Sequence, residues 1–170
     1  PMARATYRQL NDNGAFQITG YGTRSRRINT FTGAAQGEQD FRGYIAANGR
    51  FILGDHWTIT GSARRASDRT FLRRYDISRD DRLRTVVEAE RIDANSYFVI
   101  AGFATQTLRL DQSQGALPVA LPLIDYRRRI EEPLLGGTVT LRGNSLAITR
   151  DDGQDTQRAL ASAQWDLRRV

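Results

Sequence analysis

The chain has 170 residues with 25 basic and 19 acidic side chains, a net charge of +6 and no cysteine, which excludes disulfide, thiolate and cysteine–zinc chemistry within it. Mean hydropathy is −0.53, and no run of about 18 apolar residues exists to cross a bilayer as a helix. A soluble β-rich domain and a transmembrane barrel both stay open, because only every second residue of a barrel strand meets lipid.

Every basic residue is arginine. Arginine forks grip phosphate and carboxylate in a bidentate way, which suits anionic partners. A GC-rich genome produces the same bias, so charge alone decides nothing. Residues 1–10 hold no apolar core segment of the signal-peptide kind, which for a secreted or outer-membrane protein predicts a mature chain or one excised from a longer one.

Along the chain the apolar residues alternate with polar ones, the period-2 signature of strands with two different faces. After residues 1–10, Asn11-Asp12-Asn13-Gly14 reads as a tight turn, followed by weak alternation over 16–27 and a long polar connection at 29–40. Weak alternation returns over 41–53 and stops at Gly54-Asp55-His56. Trp57–Ala66 places Trp57, Ile59, Gly61 and Ala63 opposite Thr58, Thr60, Ser62 and Arg64. A long connection at 67–81 precedes 82–92, where Leu83, Thr85, Val87 and Ala89 oppose Arg84, Val86, Glu88 and Glu90. Past Asp93-Ala94-Asn95, residues 97–108 are apolar on both faces, with Phe98, Ile100 and Ala104 where polar residues are expected. The stretch 111–135, holding Pro118, Pro122 and Pro133, reads as a long loop. Runs at 137–149 and 157–168 close the series, joined by a short turn at 151–155; the first sets Val139 and Leu141 against Arg142, and the second sets Ala159, Ala161, Ala163 and Trp165 against Arg158.

The connections therefore alternate short and long. An up-and-down meander with short turns at one end and long loops at the other is the plan of an outer-membrane barrel, whereas a Greek-key sandwich has no reason to alternate. Runs of roughly 10–14 residues exceed the usual 5–6 of soluble sheets and suit a tilted bilayer crossing. Trp57, Tyr97 and Trp165 stand near run ends, as an interfacial girdle requires. The predicted fold is all-β: an antiparallel up-and-down meander of about eight strands, part of a large outer-membrane β-barrel.

Five stretches in register, 41–51 (FRGYIAANGRF), 66–78 (ASDRTFLRRYDIS), 82–102 (RLRTVVEAERIDANSYFVIAG), 117–126 (LPVALPLIDY) and 134–158 (LLGGTVTLRGNSLAITRDDGQDTQR), resemble the barrel region of the LptD (organic solvent tolerance) family in its alphaproteobacterial form. The resemblance treats 1–170 as a partial barrel domain, clearest over 41–158. Residues 1–40 become its first strands, and the periplasmic domain and later strands lie elsewhere. It implies lipopolysaccharide transport and insertion into the outer leaflet of the outer membrane of a Gram-negative cell, with no enzymatic activity and no cofactor. The implied partners are an LptE-type lipoprotein plug, lipopolysaccharide, outer-membrane lipid and, through the amino-terminal domain, a periplasmic LptA bridge; nucleic acid is not expected. Lipopolysaccharide would leave through a seam between the first and last barrel strands. The cysteines that form interdomain disulfides in many members have no counterpart here.

On the polar faces, Arg64, Arg84, Arg142 and Arg158 are the candidates to line a substrate path. Charge balance against Glu88, Glu90 and Asp166 is the plainer role for each. Arg73, Arg74, Tyr75 and Asp76 fall on an external loop, where arginine–aspartate pairing is expected to hold the loop together. No catalytic or metal-binding residue is assigned. His56 beside Ser62 or Ser67 lacks the spacing of a serine–histidine pair, and Asp151, Asp152 and Asp155 lack the ligand spacing of a calcium loop. Two rivals remain: a passive porin-like channel, and a soluble nucleic-acid-binding module using Arg73-Arg74-Tyr75 and Tyr126 to Arg129 as stacking surfaces. Interspersed acidic residues oppose the second.

Overall fold

The alternating residues form strands, and the strands pair strictly in sequence. The computed structural model describes residues 1–29, 32–133 and 136–167; Thr30 and Phe31 of the expected 29–40 connection, Leu134 and Leu135 at the end of the expected 111–135 loop, and Arg168 at the end of the last expected run lie outside them. Nine strands, β1 (Met2–Asn11), β2 (Gly14–Ile28), β3 (Ala35–Leu53), β4 (Trp57–Ala66), β5 (Arg82–Asp93), β6 (Ser96–Thr107), β7 (Val119–Glu131), β8 (Thr138–Thr149) and β9 (Thr156–Asp166), build one antiparallel sheet in the order β1 to β9. The only helix among the described residues is α1 (Phe71–Arg74), between β4 and β5. The sheet is open, with β1 and β9 at its edges.

Three readings of the sequence change. The 111–135 stretch contains a full strand, β7, paired on both sides. Its prolines masked it, since a proline has no N–H to give a ladder. The structure accommodates Pro122 in a bulge: register shifts between Ala101 and Phe103 on one side and between Ala120 and Leu123 on the other. The extra strand also moves the 151–155 turn to the opposite end, among the long loops. There the Asp152 carboxylate accepts from Ser113 Oγ (2.8 Å), and Asp152 N–H donates to Gly115 O (2.9 Å). Finally, the expected 29–40 connection shrinks to 29–34, because β2 and β3 extend toward each other past an irregularity at Ser25/Arg27.

One end of the sheet thus carries the connections 12–13, 54–56, 94–95 and 132–137, and the other carries 29–34, 67–81, 108–118 and 150–155. Gly54 turns the chain between β3 and β4 with φ +64°, a conformation glycine adopts without Cβ strain.

The buried core is small and lies at the long-loop end. Phe71 and Leu72 of the 67–81 loop, both fully buried, meet Tyr44 of β3, Ala66 of β4, Leu83 of β5 and Leu108. Burial of side chains this size contributes roughly 1.5–3 kcal/mol each. The loop enters where the sheet divides. β4 pairs with β5 from Trp57↔Arg91 to Ser62↔Val86 and no further, although both strands continue. Side chains bridge the gap: Gln106 of β6 accepts from Ala66 N–H (3.0 Å) and donates Nε2–H to Ala66 O (2.8 Å), and Thr85 Oγ1 accepts from Arg64 N–H (3.4 Å).

Gln106→Ala leaves both main-chain groups of Ala66 without their partner, at about 1–3 kcal/mol for a buried polar group. Amide exchange at Ala66 is expected to accelerate while residues 58–62, paired with β5, keep their protection. Uniform acceleration along β4 would show that the bridge plays no local part.

Candidate functional site

Cross-strand register decides which residues share a face, because directly opposed residues project to the same side. One face is apolar across its middle: Ala5, Ile18, Ala47, Ile59, Val87, Ile100, Ile124, Leu141 and Ala161 are among the residues on it. At the short-turn end this face carries aromatic rings. Tyr7, Phe16 and Phe51 form a chain with centroids 5.8 and 6.3 Å apart, and Trp57 meets Phe98 edge-on at 6.1 Å. Trp165 joins the same end and donates Nε1–H to Gly136 O (2.9 Å). Tyr97 does not: it lies on the other face under Arg127 (5.7 Å), and its neighbour Phe98 takes the girdle position. Phe98, Ile100 and Ala104 likewise belong to the apolar face, so the residues that break the pattern of β6 are Val99, Ala101 and Phe103.

The opposite face is polar over β1–β5 and at the short-turn end, while across β6–β8 toward the long loops it carries an apolar patch of Ala101, Phe103, Ala120, Leu123, Leu146 and Ile148. Arg64, Arg84, Arg142 and Arg158 all lie on it, through the registers Arg64↔Ala46, Arg84↔Thr105, Arg142↔Ser162 and Leu146↔Arg158. They do not converge. Arg64 donates Nε–H to Tyr44 Oη (2.8 Å) and pairs with Asp80. Arg84 stacks over Phe103 at 5.0 Å. Arg142 stands opposite Arg127, itself paired with Asp125 at 2.8 Å. Arg158 is exposed opposite Leu146.

The residue the sequence reading missed is Arg42. It lies on the polar face opposite Thr23, is 2 % exposed, and grips Asp68 through Nε (2.7 Å) and Nη2 (2.6 Å). Nη2 also reaches Thr70 Oγ1 (3.1 Å), Nη1 reaches Arg26 O (3.4 Å), and the guanidinium lies 5.8 Å from the Phe71 ring. This is an ion pair between a buried guanidinium and a partly exposed carboxylate, and it seats the 67–81 loop on the polar face of the sheet. Its only sequence signal is parity: Arg42 shares its face with Tyr44, Ala46, Asn48 and Arg50.

Within the loop, the 73–76 motif works differently from expectation. Arg74 donates Nη1–H to Arg26 O (3.0 Å) and lies over the Tyr75 ring, while Tyr75 donates to Ser25 Oγ (3.2 Å) and packs against Phe71. Asp76 adopts φ +51° at the end of α1. Among the described residues the ion pairs that hold the loop are Arg42–Asp68, Arg64–Asp80 and the longer Arg109–Asp81 (3.7 Å), not pairs within 73–76.

The weighed catalytic and metal groupings also have definite positions. His56 sits in the short turn before β4 with Nδ1 3.1 Å from Ile92 O, and Ser67 follows the far end of the same strand. Asp155 accepts from Arg150 N–H (2.9 Å).

Burial raises the Asp68 carboxyl, but hydrogen bonds from Arg42 and Thr70 outweigh it and hold the group at about 2, below the ordinary 3.8. A carboxyl with a depressed native pKa contributes stability that is complete above the unfolded value, about pH 4, and is lost as pH falls toward 2. Protease nicking within 67–81 is therefore expected to stay slow from neutrality to about pH 4 and to rise between pH 4 and 2. Asp68→Asn, which leaves the buried Arg42 charge without its carboxylate at a cost of about 3 kcal/mol, should be nicked readily at neutral pH. Equal protection of both proteins would refute the anchoring role.

Among comparisons with known proteins, a family model described as LptD, LPS transport system D, matches residues 40–169. No curated protein matches the chain.

Proposed function

We infer the function from family and geometry together: the chain belongs to the LptD family, whose role is lipopolysaccharide transport, and its sheet has the two-faced form of a barrel wall. We read the chain as a section of that wall in the outer membrane of a Gram-negative cell. The apolar face meets hydrocarbon, the polar face lines a lumen, the short turns face the periplasm and the long loops face outward. The observation that carries this reading is an apolar face continuous across nine consecutive strands, with an aromatic band at one end and a largely polar face behind it.

Lipopolysaccharide is an amphiphile with acyl chains and a phosphorylated, sugar-bearing head. A polar lumen offers the head a wet route, and a weakly paired seam between the terminal strands of the complete barrel releases the acyl chains into lipid. The seam has to be weak because sheet hydrogen bonds broken in hydrocarbon are costly. An LptE-type lipoprotein fills the lumen, and a periplasmic bridge of the LptA type delivers substrate through an amino-terminal domain. Arg84, Arg142 and Arg158, exposed on the polar face, set its charge; Arg64 serves chiefly to hold the 67–81 loop.

Depletion of the full-length protein in its host is expected to slow the appearance of new lipopolysaccharide at the cell surface. An unchanged rate would sink the assignment. A passive porin would conduct ions without LptE and would not co-purify with it. In reconstituted full-length protein, joint replacement of Arg84, Arg142 and Arg158 by glutamine should move ion selectivity toward cations, and unchanged selectivity would remove these residues from the lumen.

A further inference from the structure

The apolar face carries a second feature, at the end away from its aromatic band. A groove of about 390 Å³ crosses β2, β3 and β4, with Gly20, Phe41, Gly43, Ile45 and Arg65 in its lining. Phe41 is 74 % exposed and lies flat over Gly22, with Cζ 3.0 Å from where a Cβ would stand. Its ring forms the outer wall. Gly20 has open space where a side chain would be, with nothing within 4 Å. A larger residue there would fill the groove without touching the fold.

Arg65 stands at the mouth, exposed on the apolar face opposite Ile45, and Arg24 stands on the same face opposite Phe41. Neither makes an ion pair among the described residues, and the apolar face offers no carboxylate between Phe41 and Leu53 in β3 or along β4. A guanidinium does not shed its proton, so both side chains stay cationic and open to an anionic group that approaches this face. Depth points to the source. From Trp57 in the aromatic band to Arg65 is eight residues of strand, about 26 Å at 3.3 Å per residue, or about 20 Å of height at the ~40° tilt of barrel strands, against an apolar band ~25 Å tall. The Arg65 backbone therefore lies just inside the edge of that band on the long-loop side, from where its side chain snorkels to the lipid headgroups.

We propose that this groove is a binding site for one phosphorylated glycolipid of the outer leaflet, the lipid A part of lipopolysaccharide, with an acyl chain laid against Gly20, Gly43 and Ile45 and a phosphate held by Arg65 and Arg24. The assignment to lipid A rests on the outward placement of the long loops argued above. The site lies on the outside of the wall, apart from the lumen and from any seam at the sheet edges.

The test uses the full-length protein, delipidated and placed in phosphatidylcholine nanodiscs containing lipid A, lipid A stripped of its phosphates, or phosphatidylglycerol, with retained lipid measured by native mass spectrometry. Wild type is expected to retain phosphorylated lipid A at least tenfold over the other two. Arg65→Gln and Gly20→Val should each abolish that preference, the first by removing the charge and the second by filling the groove, with the melting temperature unchanged. Equal retention of phosphorylated and stripped lipid A, equal retention of phosphatidylglycerol, or undiminished preference in both variants overturns the site. Loss of the transport assignment would show instead in the depletion experiment, which these variants do not enter.

Discussion

In a wall that faces hydrocarbon, each main-chain N–H and C=O has to find its partner inside the wall, since the surroundings offer none. The sequential pairing of β1 through β9 meets that demand everywhere but at the outer edges of β1 and β9 and beside the upper part of β4, and it fixes everything else. A slip of one residue in any pair would send its apolar set to the wet side, so the register that satisfies the backbone also sorts the side chains. Where the ladder falters, another group takes over. Gln106 and Thr85 supply the missing bonds beside β4, and the bulge at Pro122 is confined to a place where both neighbouring strands recover their register within a few residues.

The long-loop end is organised by a different balance. An arginine as buried as Arg42 is unfavourable unless its charge and its donors are met. Asp68, Thr70 and the Arg26 carbonyl meet them, at the cost of committing the 67–81 loop to the polar face. The loop is then linked sideways: Arg69 donates to Arg109 O, Leu108 N–H to Asp81 O, and Ser113 to Asp152. Three successive connections thus form one connected rim rather than separate loops. For a transporter, such a rim places ordered polypeptide over the wet side of the wall while leaving the greasy side bare.

Strand existence and facing were legible because they follow from a period of two. Trp57, Ile59, Gly61 and Ala63 announce one side of β4 without any knowledge of its neighbours, and the four arginines read as polar-face residues do share that face. β7 was hidden because Pro118, Pro122 and Pro133 are turn signals locally; only pairing with β6 and β8 makes 119–131 a strand, and that information is not in the segment itself. Its loss also reversed the end assigned to the 151–155 turn, since each omitted strand inverts the parity of every later connection. The anchoring by Arg42 was illegible for a related reason. Its partner lies 26 residues further on, across a loop whose path no periodicity describes, whereas the 73–76 motif drew attention by composition alone.

The division between β4 and β5 has a mechanical meaning. A ladder shares load among its rungs, and here the outer rungs are replaced by long, jointed side chains and a wedge of apolar packing. The wall is therefore two stiff panels, β1–β4 and β5–β9, joined by a crease that is firm below and compliant above. Radial stress on the rim, from cargo or from the surrounding bilayer, would be relieved by opening this crease like a page before any strand elsewhere had to part from its neighbour.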